Sequence, residues 1–328
     1  MKKYDVIALG ELLIDFTMNG VSEQHNSLFE ANPGGAPCNV LAMLTKMNKS
    51  TAFIGKVGND MFGKQLEDTL VKIGINTENL VKSKEVRTTL AFVHTASDGD
   101  RSFSFYRNPG ADMMLRKEDI KKELFEDARI FHFGTLSMTD ELVKDATKRA
   151  ITYAKDRNML ISFDPNLRPP LWKNIEEAKV AMDYGMRMCS VLKISDDEIE
   201  FFTGEQDFEK GIKFLQDSYH IPLICLTLGK QGSIAYTYNS RVKKAGFSQG
   251  VVIDTTGAGD TFMGCILNYI LDKETIDLEE EQLLEMLTFA NAAASMITTK
   301  RGALRVMPEK EEVESFLNRY NSFTGKIS

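Results

Sequence analysis

The chain is poor in the residues that staple or metallate small folds. Its 328 residues include four cysteines, four histidines and one tryptophan. Cys38, Cys189, Cys225 and Cys265 are scattered and form no C-x-x-C pair, so they read as free thiols in a reducing compartment rather than a disulfide framework. His25, His94, His132 and His220 are equally dispersed, with no H-E-x-x-H, and give a zinc centre no support. No apolar run is long enough for a membrane span. Asp5, Glu11 and Asp15 interrupt the N-terminal apolar stretch where a secretory signal needs continuity, and a cytoplasmic location is expected. Dense Lys/Arg blocks are missing too: 40 basic against 47 acidic residues leave a net charge of -7, which argues against nucleic acid or anionic membrane as principal partner. Two phosphate motifs are also lacking. There is no G-x-x-x-x-G-K-[ST], and VIALGELLID carries only Gly10 where a dinucleotide fold needs G-x-G-x-x-G, so P-loop and Rossmann-type enzymes are disfavoured.

What is present is an alternation. The runs DVIAL, TAFIGKVG, ARIFHFG, MLISFD, SVLKI and PLICLTLG are short and rich in β-branched residues, and helical patterns near 60–73, 139–157, 174–188, 207–219 and 258–272 intervene. This order predicts an α/β fold with a mainly parallel sheet covered by helices on both faces. No linker or repeat divides the chain, so residues 1–328 are expected to form one domain. Two stretches break the rhythm, LLIDFTMNG and TTLAFVHTASDGDRSFSFYRN. The second predicts a hairpin turning at Ser97-Asp98-Gly99-Asp100. Both are expected to leave the main sheet as a small β-sheet lid, from segments of about 12–31 and 87–110. Helical patterns at 279–299 and 309–320 close the chain, and NSFTGKIS is expected to be a loose tail.

In DTTGAGDTFMGCILNYIL, at 254–271, the strand-like VVID runs into glycines and then an apolar helical pattern. Gly257, Ala258 and Gly259 are therefore expected at a helix N-terminus, where unpaired N–H groups and the helix dipole form an anion site. Asp260 falls in the first turn, placed to accept a proton from an attacking hydroxyl, and the helix end should lower its pKa. A capped glycine turn would account for the same residues, and the stretch alone does not decide between the two. A second cluster, NPGGAPCNVLAML, sets Gly34, Gly35 and Asn39 at another helix start. With Asp15 and Arg168 these are polar groups expected to converge on a polyol, although each one separately also fits a turn, a solvated strand residue or a loop charge.

The order and spacing of GELLIDF, PGGAPCNV, GKVGNDMFG, FYRNPGADMML, DPNLRPPLW, KISDDEIEFFTG, LTLGKQGS, DTTGAGDTF and FANAAASMITTKRGA resemble the ribokinase/PfkB family of sugar kinases, and within it most closely the fructokinases. The resemblance implies a ribokinase-like fold and transfer of the ATP γ-phosphoryl to a primary hydroxyl of a free sugar, with Mg2+ and possible use of K+. By that likeness Asp260 is the catalytic base and Gly257, Ala258 and Gly259 the anion hole. Asp15, Gly34, Gly35, Asn39, Arg107 and Arg168 fall at sugar-contacting positions. Thr227, Gly229, Gly232 and Asn291 match the nucleotide side, with Glu198 organising metal and phosphate. Asp254, Thr256 and the backbone near Ile297 and Gly302 match a monovalent-cation site. Ser195 departs from the family pattern, which often has Asn there, and Val306 stands where some relatives have Ser. D-fructose is the favoured substrate, 2-keto-3-deoxygluconate or a ribose-type furanose the alternatives. A non-catalytic sugar-binding homologue is the rival of another class. Covering the lid's apolar face could make a homodimer.

Overall fold

In the computed structural model, residues 2–95 and 101–324 are described. The first half contains β1 (Tyr4–Leu9), β2 (Leu13–Val21), β3 (Ser27–Gly34), α1 (Ala36–Lys46), β4 (Thr51–Gly58), α2 (Met61–Ile73), β5 (Asn76–Ser83), β6 (Leu90–Thr95), β7 (Arg101–Tyr106), α3 (Lys122–Glu126), β8 (Ala128–Phe133), α4 (Glu141–Asp156) and β9 (Leu160–Phe163). The second contains α5 (Ile175–Met188), β10 (Val191–Ser195), α6 (Asp196–Thr203), α7 (Phe208–Tyr219), β11 (Leu223–Thr227), β12 (Ser233–Tyr236), β13 (Arg241–Lys244), α8 (Ala258–Lys273), α9 (Glu280–Ile297) and α10 (Lys310–Thr324). Strands and helices alternate along most of the chain, as expected of an α/β fold.

Alternation in β1 shows why this chain makes two helical layers. Val6 and Ala8 point into one core with α1, α8 and α9, whereas Ile7 and Leu9 point into the other, under α4, α5 and α7. Both sets are buried, so the strand reads as continuously apolar, as a central parallel strand must. The nine-stranded sheet runs β13-β12-β11-β10-β9-β8-β1-β4-β5; the β11·β12 and β12·β13 pairs are antiparallel and the other pairs parallel. Local chemistry sets the helix starts. Asp60 accepts the Gly63 amide at 2.8 Å before α2, and Asn174 accepts that of Glu177 at 2.8 Å before α5.

The interrupting segments form a separate four-stranded sheet, β3-β2-β6-β7, inserted after β1 and after β5. The hairpin turn expected at 97–100 lies outside the described residues. One face of this sheet is aromatic. Phe16 stacks on Phe92 with ring centroids 4.8 Å apart, Phe29 and Tyr106 meet Phe92 edge-on, and Phe62 of α2 covers Phe16. The other face, carrying Asp15, Thr17, Asn32 and Phe105, looks back toward the large sheet.

Two local expectations are corrected. VVID is not a strand: Val251, Val252 and Ile253 are more than half exposed, in a loop whose Ile253 and Asp254 amides both donate to the Thr298 carbonyl, at 2.8 and 3.1 Å. A β-branched run can be tied down by one carbonyl without a neighbouring strand. NSFTGKIS is not a tail from its start, because α10 continues through Thr324.

Candidate active site

The functional groups gather where the parallel strands end, at the turns leading into α1, α6 and α8. Gly257 has φ 79°, a left-handed conformation suited to glycine, and it starts α8 so that Ala258, Gly259 and Asp260 form the first turn. Asp254 fixes the approach: one carboxylate oxygen accepts the Thr256 amide at 2.8 Å and the other accepts that of Gly302 at 3.1 Å. In the N-terminal turn of α8 the Ala258 amide donates to the Thr255 carbonyl at 3.3 Å, while those of Gly259 and Asp260 fall outside the helix ladder.

One cavity, of about 330 Å³, lies beneath the small sheet and is lined by Asp15, Gly35, Asn39, Arg168, Gly257 and Asp260 among others. Asn39 Nδ2 donates to Asp260 Oδ2 at 2.8 Å, which ties α1 to α8 across 221 residues of sequence. Asp260 is buried, and burial raises its carboxyl above the ordinary value although the Asn39 hydrogen bond, Lys193 and Arg168 all pull it down. This corrects the expectation of a lowered pKa: desolvation outweighs the helix end. Burial likewise pushes Asp15 up to about 7, opposed by Arg168 and reinforced by Asp254. Gly35 has φ 138°, and a side chain there would strike the Glu11 carbonyl. Gly34 leaves room for the Asp15 carboxylate.

A second cavity, of about 390 Å³, opens on the other side of the same helix end and contains Thr227, Gly229, Gly232 and Asn291, as expected. The Asn291 amide is already engaged, accepting from Ser233 Oγ at 2.8 Å and donating to the Lys244 and Ala245 carbonyls, so it shapes the wall rather than offering a free group. Phe247, Val252, Phe262 and Ala294 add apolar surface. Gly259 and Thr255 line both cavities, which therefore meet at the α8 N-terminus. A small third space of about 30 Å³ lies between Asp15, Asp254, Thr256 and Gly302. Ile297 is outside its lining and packs near Gly257.

The pfkB family carbohydrate kinase pattern matches residues 3–310. A probable fructokinase-2 of Arabidopsis thaliana is 40% identical over 314 residues, covering 95% of each chain. The chain belongs to the pfkB carbohydrate kinases. Its fold superposes on a crystal structure of fructokinase with bound ATP from Xylella fastidiosa with a TM-score of 0.88 at 32% identity, over 98% of this chain and all of that one. A Vibrio cholerae fructokinase double mutant bound to fructose, ADP and a potassium ion matches with a TM-score of 0.86 at 29% identity, over 97% of this chain and 99% of that one.

Against this pfkB kinase framework three of the expected residues stand apart. Arg107 is corrected: it is buried, its guanidinium is held by Asp112, Thr139 Oγ1 at 2.8 Å and the Leu136 carbonyl at 3.0 Å, and it does not line the cavity beneath the small sheet. A buried arginine needs such partners, and these fix the turn after β7 instead. Glu198 sits behind the wall of both cavities, its two oxygens accepting the Leu167 and Ser195 amides, each at 2.9 Å. Ser195 is the N-cap of α6 and accepts the Glu198 amide at 3.2 Å, so a serine here closes a capping box with Glu198. Sequence reasoning overlooked Glu11, Asn166, Lys193 and Phe247. The first three line the cavity beneath the small sheet. Glu11 accepts the Ala36 amide at 2.7 Å, and burial pushes its carboxyl up to about 7. Its one legible signal was a charge among apolar residues at the end of a strand.

Proposed function

We propose that this carbohydrate kinase transfers the γ-phosphoryl group of ATP to the primary hydroxyl of D-fructose, giving fructose 6-phosphate. The observation that carries the reading is the Asn39–Asp260 hydrogen bond at the Gly257–Gly259 helix end, where the two cavities meet. Sugar enters beneath the small sheet, contacting Asp15, Asn39, Arg168 and the backbone at Gly34 and Gly35. The nucleotide lies along Thr227, Gly229 and Gly232 with its terminal phosphoryl directed at the amides of Gly257, Ala258 and Gly259. Asp260 takes the hydroxyl proton as the oxygen reaches phosphorus, and positioning with charge neutralisation carries most of the acceleration. The small sheet acts as a lid that excludes water once Asp15 has met the sugar.

Among the described residues no three carboxylates or other ligands gather into a metal site of their own, but Asp196 and Asp197 open the first turn of α6 on the wall proposed for the nucleotide, where they fit a hard divalent cation that arrives with it. Bound there with the triphosphate, magnesium would supply charge neutralisation during the transfer. Asp254, Thr256 and Gly302 around the smallest cavity suit a monovalent ion such as K+, with Asp254 as the charge that holds it near the anion hole. The half-exposed Met18, Phe29 and Tyr106 on the outer face of the lid are a surface for pairing with a second copy. Four buried free thiols fit work in the reducing cytoplasm.

The test is ADP release from ATP with fructose, ribose or 2-keto-3-deoxygluconate at equal concentration. Fructose should give the highest kcat/KM. A preference for another sugar overturns the substrate while leaving the kinase chemistry in place, and no sugar-dependent ADP release with any of them overturns both.

A further inference from the structure

The sugar-side cavity contains one buried cation to which the sequence reading gave no role, and its position is specific. Lys193 lies near the end of β10 and is 7% exposed. A Cβ built on Gly259 would sit 3.1 Å from its Nζ and 3.4 Å from its Cε, so the ammonium lies against the backbone of the glycine shared by both cavities. Asp164 Oδ1 accepts one of its three N–H groups at 3.1 Å. Burial works against the charge, but Asp164, Glu198 and Asp260 together push the lysine up to about 12, and it stays protonated. One lysine therefore faces three carboxylates beside a helix end that must receive a highly anionic group. Left without that cation, a phosphoryl group approaching Gly259 meets the charge of Asp260 with Arg168 and the Asn39 amide as the remaining side-chain counterweights.

We infer that Lys193 is a catalytic cation, whose ammonium contacts the phosphoryl group as it passes from the nucleotide cavity to the sugar cavity. The proposal rests on the kinase chemistry, not on which sugar accepts. The sugar oxygen bonds to Pγ, the bond from Pγ to the β–γ bridging oxygen breaks with its electron pair leaving on ADP, and the hydroxyl proton goes to Asp260. Lys193 gains and loses no proton. It balances the charge spread over the equatorial oxygens and keeps that charge from raising the pKa of Asp260 further.

The test uses the full chain carrying Lys193→Met and whichever sugar the wild type turns over best. It measures kcat, the Kd for ADP, and the Kd for ADP with aluminium fluoride and sugar, which mimics the phosphoryl in transit. The expected result is a loss of about 10²- to 10³-fold in kcat, with a matching loss of affinity for the mimic complex. ADP alone should bind within about threefold of wild type. A kcat within about tenfold of wild type, or equal weakening of ADP and the mimic complex, overturns the proposal. If Lys193→Met does not fold, Lys193→Arg keeps the charge among the carboxylates and displaces it. That variant should weaken the mimic complex more than ADP, and equal weakening again overturns the role. Wild-type protein without sugar-dependent turnover would instead count against the kinase chemistry itself.

Discussion

The two cavities that meet at Gly259 are built on opposite principles. The sugar side is charged and buried: Glu11, Asp15, Arg168, Lys193 and Asp260 enclose it, and burial raises the carboxyls of Glu11, Asp15 and Asp260. The side proposed for the nucleotide sets glycine backbone and apolar surface beside Asp196, Asp197 and Lys230 at its rim, and its buried amide, Asn291, is already engaged. A sugar offers many hydroxyls and little apolar area, so its discrimination needs fixed charged partners. A purine ring is satisfied by shape and stacking. Substitutions on the first side should therefore change turnover and specificity, and those on the second only nucleotide affinity.

The largest break in that contrast is expected from Asp260→Asn, which keeps the Asn39 contact but removes the proton acceptor. Steady-state kinetics should show kcat lower by about 10²-fold or more with sugar binding nearly intact. Turnover close to wild type would remove Asp260 from the mechanism.

Next in size is Asp15→Asn. Losing the charged hydrogen bonds to the sugar should raise its KM by about 10- to 100-fold. The variant also carries a pH signature. Asp15 is raised from 3.8 to about 7 in the folded protein, so between those values the native state holds more protons than the unfolded one and stability falls as pH rises. Asp15→Asn should accordingly melt higher than wild type above pH 7, by about 2 °C or more, in a thermal scan without sugar. Fructose kcat/KM of the wild type should decline as pH drops through about 7, where the Asp15 carboxylate is lost, and this limb should vanish in the variant. An unchanged limb would move the titration to another group.

Phe247→Ala tests the other cavity and should have the smallest effect. Loss of aromatic surface should raise the ATP KM roughly 3- to 10-fold with sugar KM and kcat unaltered. A fall in kcat instead would mean that the two sides are less separable than their chemistry suggests.

Legibility followed the same divide. Strand–helix alternation, the insertion of a second sheet, and the helix starts at Gly35 and Gly257 could be read because glycine, caps and period-2 patterns are local. VVID misled because its β-branched residues look like a strand, and what ties them down is a carbonyl 45 residues beyond Ile253, at Thr298. The paired antiparallel strands β12 and β13 are four residues each, too short for a pattern. Lys193 and Glu11 escaped notice because each is a single charge beside an apolar strand, and only the fold shows which one ends at a cavity. Arg107 failed in the reverse sense: its place in FYRNPGADMML matched a sugar-contacting position, yet Asp112, five residues on, claims its guanidinium.

The strand β3 ends at Gly34 and α1 begins at Ala36, leaving Gly35 as the sole joint between the small sheet and the helix whose Asn39 steadies Asp260. Sheet and base are thus mechanically in series, and any tug on the sheet by a bound sugar reaches Asn39 through one stiffly packed residue. The loop joining β2 to β3 can lengthen without consequence for that linkage, since it is exposed and distant. An insertion of one residue at Gly35 would turn α1 by about 100° relative to the strand, as a helix with 3.6 residues per turn must, and carry Asn39 away from its partner.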